Sequence, residues 1–378
     1  MSLHRNAHLW LPGLLASRRR RQAAPINGVT DILFCIADHF EPAHGQPGLR
    51  VERTRVKTWT ERLPKLAAPF RDADGRPPRH TFFFAAEQYR QEHIDRLASL
   101  CESGLAEVEI HLHHDHDTAD GLRGTLLEFK ESLFVEHGLL TTAPNGATAY
   151  GFIHGNWALD NARPDGRYCG VNDELTVLRD TGCYGDFTLP AAPDVSQTRT
   201  VNRLYYAVDD PLRPRSHDRG VDAHVGRIPP PNGLLLIQGP LSLDWERRFF
   251  GMLPGLDVAA IDASPGYPPA LGRFRRWVDV GIGVRGRPEW VFVKVHTHGA
   301  LERNAGILLG PRMAALHEAI GREFNDGHRY RLHYVTAREM ANIVCAAEAG
   351  ERGTPGDYRD YVLPPPQAAT AHRREAVG

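Results

Sequence analysis

The sequence predicts an α/β fold: a single (β/α)7-type, distorted TIM-like barrel with a long irregular insertion. Three observations predict it. Short apolar runs that read as strands alternate with helical patterns along most of the 378 residues, which is the mark of a mostly parallel sheet. About seven such units are enough to close, or nearly close, a barrel; a doubly wound open sheet is the alternative. Polar residues also recur at the same end of successive strands: Asp38, Glu87, His111 with His113, His154 with Asn156, Asp186, and His296 with His298. In a (β/α) barrel those C-terminal ends converge on one face.

Residues 1–29 lack a clear period and are expected to form an irregular N-terminal arm. The barrel is expected over 30–349, interrupted at about 190–232, with a loose tail over 350–378. Ile32–Ala37 is a continuous apolar run, as in a strand buried on both faces. Helical spacing follows from Arg50 to Ala67, with Val56, Trp59, Leu63 and Leu66 on one side. His80–Ala85 is a second strand, Glu92–Ser103 a helix, and Gly104 its stop. In Val108–His113 apolar and polar residues alternate, so His111 and His113 share a strand face. The run continues as His114-Asp115-His116-Asp117, and a helix is expected from Leu122 to about His137. Tyr150–His154 is a fourth strand, Asn172–Arg179 a helix, and Cys183–Phe187 a short strand. The Pro-, Asp- and Arg-rich stretch that follows is long for a loop inside a compact domain unless it carries function or shields a site. Leu234–Ile237, Trp290–Val295 and Tyr330–Val335 complete the strands; Pro311–Phe324 and Ala337–Glu348 are the last helices.

Bulk properties exclude several classes. The net charge of −1 provides no global field for nucleic acid or anionic membrane, and Arg18–Arg21 reads as a solvated basic run. The five cysteines are spread out without CxxC spacing, against a disulfide framework or a cysteine zinc site. No run has the length of a membrane span. Leu9–Leu15 is short and broken by Pro12 and Gly13, and its arginines follow it, so no signal peptide is expected and the cytoplasm is the default. There is no GxxxxGK[ST] and no GxSxG, which argues against nucleotide-phosphate binding and a serine esterase.

Imidazoles and carboxylates crowded at a strand end suit a divalent transition metal. The alternative is a solvated loop in which Asp117 or Thr118 caps the next helix. The order of segments resembles the polysaccharide deacetylase family (NodB homology, carbohydrate esterase family 4), of which this chain looks like a divergent member. Ile36-Ala37-Asp38-His39-Phe40 stands where the family has Thr-Phe-Asp-Asp-Gly. Thr81-Phe82-Phe83 matches its second strand, and Glu107–His111 is similar to its Gly-His-Glu-Ile segment. Phe152–Trp157 is similar to a Phe-Arg-Ala-Gly segment, Val295-His296 to a leucine–histidine pair, and Tyr334–Met340 to the closing strand-to-helix junction. The chain departs from the pattern where His39 replaces an aspartate, Asp115 the second histidine, and Ile153 the motif arginine.

The resemblance implies a metal-dependent hydrolase removing an acyl group, N-acetyl, from a carbohydrate. It places the ion on His39, His111 and Asp115, with Asp38 as base. Zinc fits these ligands, as would cobalt or nickel, and His113 or His116 could replace Asp115. His296 is the candidate acid, with His298 on the same face as its substitute and Asp186 to orient it. Asn156, Trp157 and His154 are candidates for a sugar-binding wall: an aromatic face for a pyranose ring and polar groups for hydroxyls. Glu87 reads as a helix-start acid. Two other readings remain: an amidohydrolase-type metal hydrolase, and a catalytically degenerate, sugar-binding protein of the same fold.

Overall fold

The computed structural model describes residues 6–21 and 28–368. The strands are β1 (Thr30–Phe40), β2 (His80–Ala85), β3 (Ala106–Leu112), β4 (Thr141–Thr142), β5 (Thr148–His154), β6 (Cys183–Asp186) and β7 (Leu204–Val208). They continue as β8 (Val221–Asp222), β9 (Gly233–Ile237), β10 (Ser242–Phe249), β11 (Leu253–Asp257), β12 (Trp290–Thr297) and β13 (Tyr330–Tyr334). The helices are α1 (Ala7–Arg20), α2 (Leu49–Ala67), α3 (Gln91–Glu102), α4 (Ala119–Glu131) and α5 (Glu174–Asp180). Then come α6 (Leu271–Val280), α7 (Glu302–Leu308), α8 (Pro311–Phe324) and α9 (Ala337–Glu348).

The central sheet runs β12-β1-β2-β3-β5-β6-β9-β7-β8, parallel as far as β9, with β7 and β8 antiparallel at the end. β13 pairs with the first half of β1, beneath β2. The expected α/β class and mostly parallel sheet are therefore present. Among the described residues no ladder joins β9 to β12. Instead Lys294 Nζ on β12 donates to the Phe187 and Leu189 carbonyls, at 2.5 and 2.8 Å.

Alternation divides each strand between two cores. Ile32, Phe34, Ile36 and Phe40 of β1 pack outward with Trp59 of α2 and Phe82. Leu33, Cys35 and Ala37 pack inward with Phe83, Phe187 and Val335. Val108, Ile110 and Leu112 of β3 and Tyr150 and Phe152 of β5 also face outward. The inner face is closed near the strand N-terminal ends by α9, which is buried along almost its whole length. Its start is a capping box: Thr336 accepts from Glu339 N, and Glu339 accepts from Thr336 N.

Charged residues hold α9 in place. Arg338 donates to Glu107 at 2.8 Å, and Arg359 bridges Glu339, Asp72 and Asp74. Burial alone would raise the Glu339 carboxyl, but Arg79, Arg359 and Arg338 outweigh it and hold it below its ordinary range. A depressed acid stabilises the fold above its unfolded pKa, and that stability is lost as pH falls below the ordinary carboxylate range. The thermal midpoint of the parent is thus expected to fall on acidification from pH 5 to pH 3 by more than that of Glu339→Gln, measured by circular dichroism. Parallel curves would deny Glu339 this role.

Three expectations about the ends and the insertion are corrected. The arm assigned to 1–29 contains α1, whose Trp10 is 1% exposed and packs with Leu241, Val258 and Ala260; residues 1–5 and 22–27 lie outside the described residues. The tail assigned to 350–378 is ordered through 368, since Arg359 is buried in the ion network; residues 369–378 lie outside the described residues. The stretch 190–232 contains β7 and β8, which extend the sheet through β9. No helix of the described residues is long and apolar enough to cross a membrane.

Candidate metal centre

The inward-facing positions at the upper ends of β1, β3 and β12 converge. His39 and Glu41 are two residues apart and share the inner face, opposite His111 of β3. Ligand-type atoms of these three buried residues all lie within 4.8 Å of one another. His111 Nδ1 donates to the Ile153 carbonyl at 2.8 Å, which leaves Nε2 as the free lone pair. That Nε2 and the Nε2 of His39 have no hydrogen-bond partner.

Glu41 is the hub. Its Oε1 lies 3.5 Å from His111 Nε2, 3.9 Å from His113 Nε2 and 3.9 Å from His298 Nε2. Burial would raise its carboxyl, but the nearby imidazoles, His111 foremost and then His298 and His113, prevail and keep it well below the usual carboxylate range. His39 is pushed well below its ordinary value by burial and by His298, His111 and His296, so it is a neutral imidazole. The neutral His39 imidazole beside the ionised Glu41 carboxylate matches the donor state that a divalent ion requires.

His113 is at the rim, with its side chain 27% exposed, and its Nδ1 pairs with Glu87 Oε1 at 2.6 Å. Burial lowers His113, but the Glu87 carboxylate overcomes it and raises the imidazole above its ordinary value. Glu87, expected as a helix-start acid, therefore serves His113. His298, 31% exposed, lies with its ring 4.8 Å from that of His39. His296 is more deeply set, 5.9 Å from His39 ring to ring, and burial and Lys294 drive it well below its ordinary value.

Several expected site residues are placed elsewhere. Asp115 does not join His39 and His111: the chain turns outward after His113, and its carboxylate accepts from Tyr168 N at 2.6 Å. His116 is exposed nearby. Asp38 lies on the outer face of β1, fully buried, accepting from His80 Nε2 at 2.9 Å and from Gly299 N at 2.6 Å. It therefore anchors the turn after His298 and does not face the cluster. A Cβ on Gly299 would come within 2.1 Å of Asp38 Oδ2, so that turn requires glycine.

Asp186 does not orient His296. It accepts from Thr188 Oγ1 at 2.7 Å, and burial raises its carboxyl to about 7. His154 is no sugar contact, because it faces outward and is fully buried. Asn156 is exposed. Trp157 holds φ +54°, which a bulky residue rarely adopts, and its ring lies 6.0 Å from both His39 and His298. It borders a cavity of about 300 Å³ with His296, His298, Tyr267 and the Pro190–Pro193 segment. The start of the insertion thus walls the histidine cluster. A larger cavity, about 490 Å³, lies between α1 and β10, away from these histidines.

Glu41 was not singled out from the sequence, although its spacing of two from His39 on the same strand was the signal for it. No family model matches the chain, and no curated protein matches it. Among solved structures, one described as "putative polysaccharide deacetylase from Mycobacterium smegmatis" is 14% identical, covering 88% of this chain and 96% of its own, with a TM-score of 0.47.

Proposed function

We propose that the chain is a metal-dependent hydrolase that removes an acyl group, N-acetyl, from a carbohydrate. One observation carries this reading: Glu41 Oε1 is ringed by the Nε2 atoms of three histidines, with the unpartnered Nε2 of His39 beside them. His39, His111 and Glu41 would hold the ion, zinc first and cobalt or nickel as substitutes. When bound, it supplies Lewis acidity to the acyl carbonyl and to the attacking water. His113, whose affinity for a proton Glu87 raises, presents Nε2 toward the cluster from the rim and can pass a proton to the leaving amine. His298 stays neutral at the cavity mouth, where it can accept one. Asp38 fixes the Gly299 turn that carries His298, which makes it a positioning residue. Trp157 offers the sugar a ring face beside the cavity. The carbohydrate itself rests on the sequence resemblance.

The test is protein purified without chelator, assayed for zinc, cobalt and nickel, then for acetate release from N-acetylated mono- and oligosaccharides. Acetate release that stops on chelation and returns with zinc or cobalt is the expected result. Bound metal without acetate from any sugar would favour an amidohydrolase-type hydrolase. Sugar binding without metal would favour a catalytically degenerate binding protein.

A further inference from the structure

A second group of donors lies on the other side of the sheet wall. His114 follows the inward-facing His113 just past the end of β3 and turns to the outer side of the sheet. There it meets His154 at the end of β5, Glu174 at the start of α5, and Cys169 in the connector before α5. His154, Cys169 and Glu174 are fully buried, and donor atoms of all four residues lie within 4.8 Å of one another. His114 Nε2 is 2.9 Å from His154 Nε2, and these nitrogens are 3.2 and 3.3 Å from Glu174 Oε1. Cys169 Sγ is 3.4 Å from Glu174 Oε2.

The outer edge of the His154 ring is already engaged, since its Nδ1 donates to the Gly155 carbonyl at 2.5 Å. His114 Nδ1, 3.2 Å from Asp117 Oδ2, makes no hydrogen bond. His154 therefore carries its proton on Nδ1 and directs its Nε2 lone pair toward His114 Nε2. That lone pair, His114 Nε2 and Glu174 Oε1 converge on one point, which calls for a proton or a metal cation between them. An imidazole whose far nitrogen donates to a carbonyl or carboxylate is the usual state of a metal ligand.

We propose that His114, His154, Cys169 and Glu174 form a second, closed site for one zinc-type divalent ion, with a structural role. Two nitrogens, one oxygen and one sulfur suit tetrahedral zinc. The bond lengths of such a site put neighbouring ligand atoms about 3.3–3.6 Å apart, close to the spacings among His114, His154 and Glu174 Oε1. Binding breaks the Cys169 S–H bond and releases its proton to solvent while the thiolate takes the ion. The ion would tie the 113–118 loop, the end of β5 and the connector to α5 into one unit. These segments already meet where Asp117 N donates to the Cys169 carbonyl at 2.9 Å. This site is independent of the reading given for His39, Glu41 and His111, which contains no sulfur.

Cobalt substitution separates the two. Full-length protein purified without chelator is loaded with cobalt(II), and its near-ultraviolet spectrum is recorded for the parent, His39→Ala, Cys169→Ser and His114→Gln. A thiolate-to-cobalt charge-transfer band is expected in the parent and in His39→Ala. Cys169→Ser and His114→Gln should lose the band and one ion per chain. If Cys169→Ser does not fold, His114→Gln decides, since its side chain is at the edge of the cluster. Cobalt binding without the band, or a band that survives both substitutions, overturns the proposal. So does an unchanged metal count in both, which would leave a proton shared by the two imidazoles. A band without any sugar deacetylation would uphold this site and refute the proposed activity.

Discussion

Glu41→Gln is expected to lower acyl hydrolysis by about 10²–10⁴-fold, the range associated with losing a positioned acid–base or charged group from an active site. The side chain keeps its size, but the carboxylate oxygen that lies within 4 Å of His111, His113 and His298 at once becomes part of a neutral amide. Asp38→Asn should cost less, on the order of 10–100-fold, as expected for a group that orients others without touching the reaction. Its carboxylate meets His80 and the Gly299 amide on the far face of β1. The measurement is kcat/KM for acetate release by each variant, with bound metal determined on the same samples. A larger loss in Asp38→Asn than in Glu41→Gln would restore the base role that the sequence resemblance gave Asp38. Glu41→Gln with full metal content and full activity would remove Glu41 from the centre altogether.

Arg338→Met should destabilise the fold by about 3–5 kcal/mol, the cost of stranding one partner of a buried ion pair. Arg338 is 2% exposed at its side chain, and Glu107 is 1% exposed. The guanidinium also donates to Asp360 at 2.8 Å and to the Leu363 carbonyl at 2.6 Å, so it ties the C-terminal segment to the inner face of the sheet. Methionine fills a similar volume but leaves the Glu107 carboxylate with only Thr336 Oγ1 and the more distant Arg79. Chemical denaturation compares the variant with the parent. Adding Glu107→Gln should recover part of the loss, because the stranded charge is gone, and the shortfall from additivity reports the coupling. A loss below about 1 kcal/mol would mean that the pair is dispensable, as surface pairs are.

Much of the fold was legible because buried parallel strands leave continuous apolar runs. Ile32–Ala37 and Trp290–Val295 fall within β1 and β12. The hairpin β10–β11 was missed, because charged residues interrupt β10 and Pro254 and Gly255 stand within β11. α6 was missed too, although Phe274, Trp277 and Val278 have helical spacing. α1 was hidden by Pro12 and the arginine run, and its place is set by distant packing, Trp10 lying in one cluster with Ala192, Val201, Leu241, Val258 and Ala260.

The metal centre was half legible. Strand parity placed His111 and His113 together, and the structure keeps them so. Parity also explains the misplaced candidates. His154 and Asp38 stand at strand ends, as the sequence suggested, but both are on the outward parity, with Phe152 and Phe40. Asp115 lies past the last paired residue, where alternation no longer constrains direction. No local pattern specifies that its carboxylate will meet the Tyr168 amide 53 residues away.

The opposed directions of His113 and His114 have an evolutionary consequence. A single peptide link separates an imidazole of the inner cluster from one of the outer cluster. Inserting or deleting one residue there would exchange their partners at a stroke. Descendants of this chain are therefore free to lose either donor set by replacing side chains, whereas the spacing between the two must stay constant.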